Sequence, residues 1–368
     1  MNVRNIVYVV SLLILLGACK KEKTLSGLNI RDFQTEVNGQ LTNLFVLRNE
    51  NGMEACITNY GARLVSLMVP DKEGKLYNVV CGFATIQDYM KSGQNFGATI
   101  GRYTGRILNS SFVIDSVTNQ LTPKVGSNDE RGEDLGFATR IWQGEQLEVD
   151  AVKMTLFSLD GENGFPGNLG VTVIYRLNLL NELDITYEAT TDKTTVVNLS
   201  NHIHFNLSGD FNTTIEDYNL YIDADKYISN DSSKYVAGEM SVVGTPYDFL
   251  IKEHSISKLI NEDTMKGYDC SWVLNKKRDK TQNVASLKYP KSGRLLTVCT
   301  DEPGLQVHIA NKLGKGMAGK DGRIHRKQNG IYLKVLRFPN GPDKPQFPST
   351  ILHPGEIYQS HSVYRFKL

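Results

Sequence analysis

Tryptophan occurs only twice and cysteine five times in these 368 residues, and the longest apolar run, residues 6–16, is short. A membrane-spanning helix needs about 20 apolar residues, so this run is too short and wrongly flanked to be one. Neither sign of charge dominates: Lys and Arg total 41, Asp and Glu 40, for a formal net charge of +1. That balance excludes a protein that grips nucleic acid with a broad basic surface, and no nucleic-acid partner is expected. There is no Pro/Ser-rich linker, charge block or fixed-period repeat, so nothing marks an internal boundary. No G-x-G-x-x-G opens a helix after a strand, and G-x-S-x-G, Walker-type and H-E-x-x-H motifs are missing, which removes the common nucleotide, hydrolase and zinc-protease readings. Past position 19 the cysteines are Cys56, Cys81, Cys270 and Cys299. They form no C-x-x-C and no Cys/His ligand set, so no metal is expected; Cys56, Cys81 and Cys299 lie in apolar strand-like runs and read as buried free thiols.

What the chain does have points to β structure. Hydrophobic residues make up 40%, enough over this length to bury a large core, and 32 Gly with 17 Tyr and 14 Phe suit a turn-rich sheet protein. Period-two alternation marks strands at 43–47, 62–68, 171–177, 183–187, 294–300, 305–310 and 362–366, each bounded by turn-forming residues. Residues 171–187 read as a hairpin turning near Asn181 and Glu182. Helical signals are few and short, at 86–91 and 255–258. The fold class expected is all-β: one large antiparallel β-sandwich over 30–368, with 358–366 as its last strand.

The first residues read as an address. Arg4 precedes the apolar run, and Gly17 and Ala18 follow it, so residues 1–18 form a secretory signal. Leu16-Gly17-Ala18-Cys19 resembles a bacterial lipobox, which implies that Cys19 is diacylated and becomes the mature N-terminus. Two acyl chains give the stable anchoring that one does not. Residues 19–29 read as a polar tether. The protein is therefore expected to be exported and lipid-anchored to the cell envelope, touching membrane only through that anchor. Losing the signal removes Arg4 and no acid, which leaves the mature chain formally neutral.

The densest chemistry lies at 198–207, NLSNHIHFNL. His202 and His204, two apart on an extended segment, share one face. Such a pair suits a metal, an acid/base group with a neighbour, or simply two polar side chains on a solvated strand. The amides of Asn198, Asn201 and Asn206 offer donors and acceptors of the kind sugar hydroxyls require. Arg102 and Arg106, four apart, suit bidentate anion binding, donation to neutral hydroxyls, or surface ion pairing. Asp301-Glu302 before Pro303 reads as a turn. His254, His325, His353 and His361 have no motif around them and read as surface or structural.

Eight stretches carry a wider resemblance. They are NYGARLVSLMVPDKEGK (59–75), GATIGRYTGRI (97–107), GENGFPGNLGVTVIY (161–175) and TTVVNLSNHIHFNLSG (194–209), then VVGTPYDF (242–249), GYDCSWVL (267–274), PGLQVHIAN (303–311) and FPSTILHPGE (347–356). In this order they resemble the aldose 1-epimerase (galactose mutarotase) family over almost the whole mature chain. The resemblance implies a large antiparallel β-sandwich that binds a monosaccharide or glycan end, as a monomer and without a cofactor. It implies a reaction in which a general acid protonates the ring oxygen of a free aldose while a general base takes the C1 hydroxyl proton. The ring opens, C1 rotates, and closure gives the other anomer.

By position, the resemblance puts the acid at His202 and sugar-orienting roles at Arg106, Asp269 and Gln306. It also exposes departures. The family's base is a Glu in a segment that here reads GIYLKVLRFP (330–339), so Lys334 stands at the carboxylate's place. A second site histidine falls on Arg131, beside Asn128, and a tyrosine two after the acid falls on His204, and the resemblance implies that these three positions also bind substrate. Gly105 stands where many members have Asn. Holding a lysine neutral at pH 7 costs about 4–5 kcal/mol unless its surroundings supply the shift. Glu130, Glu133, Asp134 and Asp301 are the candidates for a displaced carboxylate. Replacing Glu by Lys and His by Arg also adds positive charge near Arg106, which favours an anionic saccharide if neighbouring acids do not neutralise it.

Overall fold

The fold is known from a computed structural model. The structure describes residues 23–122, 136–230, 236–251, 254–257, 270–275, 279–310, 318–320, 322, 324–339, 342 and 344–367. Cys19, Asn128, Arg131 and Asp269 lie outside them, as do Glu130, Glu133 and Asp134.

Alternation in the sequence becomes alternation in burial. Along Leu169–Leu177 the odd positions are buried and the even ones half-buried, as expected of a strand with one face on a core. It pairs with Glu182–Thr191 in the expected hairpin, Leu177 opposite Leu183, with Asn181 in the left-handed region at φ 57. These two belong to a nine-stranded sheet. Its order is Gln143–Glu148, Ala151–Ser158, Leu169–Leu177, Glu182–Thr191, Tyr358–Lys367, Leu295–Thr300, Asp279–Lys288, Asn219–Ile222 and His254–Ser255. The last strand of the chain thus sits in the middle of the sheet, hydrogen-bonded on both sides.

A six-stranded sheet runs His204–Phe205, Ile331–Leu336, Gly304–Ile309, Cys270–Val273, Lys226–Asn230 and Val236–Ser241, again antiparallel. A four-stranded sheet, Leu44–Arg48, Glu54–Thr58, Arg63–Pro70 and Leu76–Asn78, completes the main framework. One hydrophobic cluster joins all three. It takes Leu64 and Leu67 from the smallest sheet, Val173, Ile185 and Tyr364 from the largest, and Leu305, Val307, Leu333 and Val335 from the third. This is the expected all-β antiparallel sandwich.

The helix expected at 86–91 is present as Ile86–Ser92, capped by Thr85 accepting from the Asp88 amide and ended by Gly93 at φ 59. The second expected helix, 255–258, is not one at its start. Ser255 is a strand residue opposite Asn219, where sheet pairing outweighs local preference, and Lys258 lies outside the described residues. Cys56, Cys81, Cys270 and Cys299 are all buried free thiols, and burial pushes Cys56 and Cys81 up to about 12. Thr24 and Leu28 are already packed into the fold, with the Leu25 amide donating to Glu54 Oε1 at 2.7 Å.

Candidate active site

The strand Ile331–Leu336 is buried along its whole length. Since neighbouring side chains on a strand point to opposite faces, Ile331, Leu333 and Val335 enter the main core while Tyr332 and Lys334 face the other way. Register then assembles a polar face. His204 lies opposite Tyr332, and Tyr332 opposite His308 on the next strand. One step along, Lys334 lies opposite Gln306, and Gln306 opposite Ser271.

His202 is delivered to this face by the chain that precedes His204. Ile203, Phe205 and Leu207 plug into the main core, which turns positions 202 and 204 to the opposite side. Gly97 pins the segment: its amide donates to the His202 carbonyl at 2.9 Å, while its own carbonyl accepts from Leu64 at 2.9 Å. Only glycine fits there, since φ is +68 and a Cβ would stand 1.9 Å from the Leu64 oxygen. Arg63 fixes the same corner from behind, buried and donating to the carbonyls of Tyr60, Gln94, Phe96 and Ala138.

The result is a cluster centred on Tyr332. The His202 ring is 4.9 Å from that of His204 and 4.8 Å from Tyr332. His308 stacks on Tyr332 at 5.1 Å and 20°, and the Lys334 ammonium lies 5.3 Å from the Tyr332 ring centre. Phe96 closes the side of His204 at 5.2 Å, edge to face. Lys334, His204 and Tyr332 are buried, whereas His202 and His308 keep partial exposure and form the accessible side.

Burial, then the Lys334 ammonium, His308 and Arg63, hold the His202 imidazole well below its ordinary range. Burial, then His202 and His308, do the same to His204. Both rings are therefore uncharged at neutral pH, able to accept a proton. Among the described residues, no three His, Cys, Asp or Glu side chains converge as metal ligands. A donor cation beside an acceptor imidazole, facing the same way, is an arrangement for proton transfer to and from a bound hydroxylic molecule.

The structure thus brings together His202, His204, Gln306 and Lys334. Arg106 follows a segment that meets the chain just after the Lys334 strand. Its segment runs along the end of the Lys334 strand, with the Tyr103 hydroxyl donating to the Phe338 carbonyl at 3.2 Å and Asn198 bridging the Thr104 and Arg337 carbonyls. Arg102, its partner in the sequence reading, has a different task. It is buried, donating to the carbonyls of Ser158, Leu159, Pro166 and Gly167 and to the Ser158 hydroxyl, so it clamps a turn.

The asparagines are also not the hydroxyl-binding amides expected. Asn198 holds main chain as described, Asn206 donates to the Asn329 carbonyl, and Asn201 donates to the Tyr175 hydroxyl, all deeply buried. Asp301 is taken by His361, which it meets at 3.0 Å. His325 is a buried structural residue against the Gly82 carbonyl, and His353 is exposed beside Thr194.

Two site residues escaped sequence reasoning, His308 and Tyr332. Each lies two positions from a residue that had been singled out, Gln306 and Lys334, so strand periodicity alone would have found them.

Comparison with known proteins agrees with this fold. The family described as aldose 1-epimerase matches residues 43–365. An aldose 1-epimerase of Escherichia coli (strain K12) is 36% identical over 335 residues, covering 89% of this chain and 96% of that protein. A galactose mutarotase of Sus scrofa is 34% identical over 313 residues, covering 85% and 90%. The crystal structure of an aldose epimerase homologue from C. elegans superposes with a TM-score of 0.81 at 26% identity, covering 89% of this chain and 99% of that one. With the fold and these similarities in agreement, the chain belongs to the aldose 1-epimerase family, whose chemistry is the interconversion of sugar anomers.

Proposed function

We propose that this protein is an exported, lipid-anchored aldose 1-epimerase that interconverts the α and β anomers of a free aldohexose, with His202 and Lys334 as its proton-transfer pair. One observation carries the reading. His202 and Lys334, which come from separate parts of the sequence, flank the same Tyr332 ring on one sheet face, at 4.8 and 5.3 Å. Ring opening needs one group to take the C1 hydroxyl proton and another to supply the ring oxygen, and closure reverses both transfers. The pair supplies an acceptor and a donor, and no cofactor is called for. Gln306 and Ser271, in register with Lys334, would orient hydroxyls, and Arg106 keeps the sugar-orienting role the resemblance gives it. Asn128, Arg131 and Asp269 keep the sugar-binding roles the resemblance gives them. Polarimetry on freshly dissolved α-galactose or α-glucose tests this. The expected result is equilibration faster than the spontaneous rate, proportional to protein and lost in His202→Asn.

A second reading is favoured by the buried Lys334 ammonium on the site face. It makes an anionic aldose such as a uronic acid the better substrate. Galacturonate should then bind more tightly than galactose, with an advantage that shrinks as salt rises; equal, salt-insensitive binding excludes it. The membrane anchor rests on Arg4, the apolar run and Cys19. Labelling with a radioactive fatty acid should mark the wild type and spare Cys19→Ala. The chain is taken to act as a monomer, which gel filtration checks.

A further inference from the structure

We infer that the two proton-transfer roles are exchanged in this chain, Lys334 giving the proton to the sugar ring oxygen and His202 taking the one on the C1 hydroxyl. This rests on the function proposed above and assigns its direction. The arrangement implied by family resemblance has a carboxylate at position 334, which accepts, and a histidine that donates. An ammonium has three donors and no acceptor, so the residue at 334 can only begin the reaction by giving. The acceptor must then be another group on the same face. Around Lys334 the described residues of the packed strands offer Tyr332 on its own strand, Gln306 and His308 on the next, and His202 and His204 on the third side, with Arg63 behind them. His204 is buried between Phe96, His202 and Tyr332, and His308 is stacked flat on Tyr332. His202 is the partly exposed imidazole that meets Tyr332 from the His204 side, and its surroundings keep it uncharged.

The step balances. A nitrogen of His202 takes the C1 hydroxyl proton as the C1 carbonyl forms. The C1–ring oxygen bond breaks, and its electron pair is protonated from Lys334 Nζ. The open aldehyde leaves an imidazolium and a neutral amine. After rotation about C1–C2, the C5 hydroxyl attacks C1 and returns its proton to the amine, while the imidazolium protonates the carbonyl oxygen. Both groups end as they began. A consequence is that the sugar sits turned about C1, its ring oxygen toward the Lys334–Gln306 side and its anomeric hydroxyl toward His202.

Chemical rescue of Lys334→Ala reads the direction. The variant should lose about 10²- to 10⁴-fold in mutarotation rate, the usual worth of a general acid. Methylamine, ethanolamine and weaker amines added to it should restore rate in proportion to the protonated ammonium, so that at fixed total amine the rescue fades as pH passes each amine's own pKa. Rescue that follows the free amine, or comes from formate instead, overturns the inference while leaving the function standing. So does a variant that keeps the wild-type rate, or one that retains its Tm and responds to neither form. A wild type that does not outpace spontaneous mutarotation overturns the proposed function and the exchanged roles together.

Discussion

Two strands, one from each large sheet, are buried differently. In the nine-stranded sheet, Leu169–Leu177 gives one face to the core and leaves Gly170, Thr172, Ile174 and Arg176 half-buried on the other. In the six-stranded sheet, Ile331–Leu336 is buried on both faces. Its second face holds a lysine, a tyrosine and, across the register, two histidines and a glutamine. Polar and ionisable groups taken from water cost free energy that apolar ones would not. A strand that keeps them on a covered face holds chemistry there, and Leu169–Leu177 shows a strand of the same fold without that demand.

The sharpest way to break the comparison is on activity. His202→Asn should cut mutarotation by about 10²- to 10⁴-fold with little change in Tm, measured by polarimetry and thermal melting. Next come adjacent positions with opposite outcomes. Leu333→Ala, on the core face, should cost about 2–5 kcal/mol in urea denaturation and leave the rate near wild type where the protein stays folded. Lys334→Met, on the site face, should instead cut the rate by about 10²- to 10⁴-fold in protein that stays folded.

A smaller effect is set by the depressed histidines. A group whose folded pKa lies below its unfolded value contributes stability that is present above the unfolded pKa and lost as pH falls below it. His202 and His204 both shift this way, so unfolding free energy should decline from about pH 6.5 downward, and His204→Gln should flatten that slope. A variant with the wild-type slope would show that His204 titrates alike in both states. The smallest change belongs to the open face of the large sheet, where Thr172→Ala should stay within about 0.5 kcal/mol with rate unaltered.

Much of the fold was legible because strands with one open face write period two into the sequence, as Leu169–Leu177 does. His202 and His204 were legible for the same reason, their shared face following from spacing alone. What periodicity cannot supply is the partner across the sheet. Nothing local says that Lys334 will lie beside Gln306, or that Asn198, 139 positions from Arg337, spends its amide on that residue's main chain. Arg102 misled for a related reason. An arginine next to a glycine-rich turn has the same local look whether it meets a ligand or four carbonyls of a distant turn. The start of 255–258 was read as helix because pairing with Asn219 is a long-range fact.

The strand Tyr358–Lys367 fills the gap between Glu182–Thr191 and Leu295–Thr300. Without it, the largest sheet exists only as two separate halves, each with a raw inner edge. Closing that sheet therefore depends on a strand that lies far along the sequence from both of its partners. Removing these ten residues would leave two sticky borders where the intact molecule has a seam.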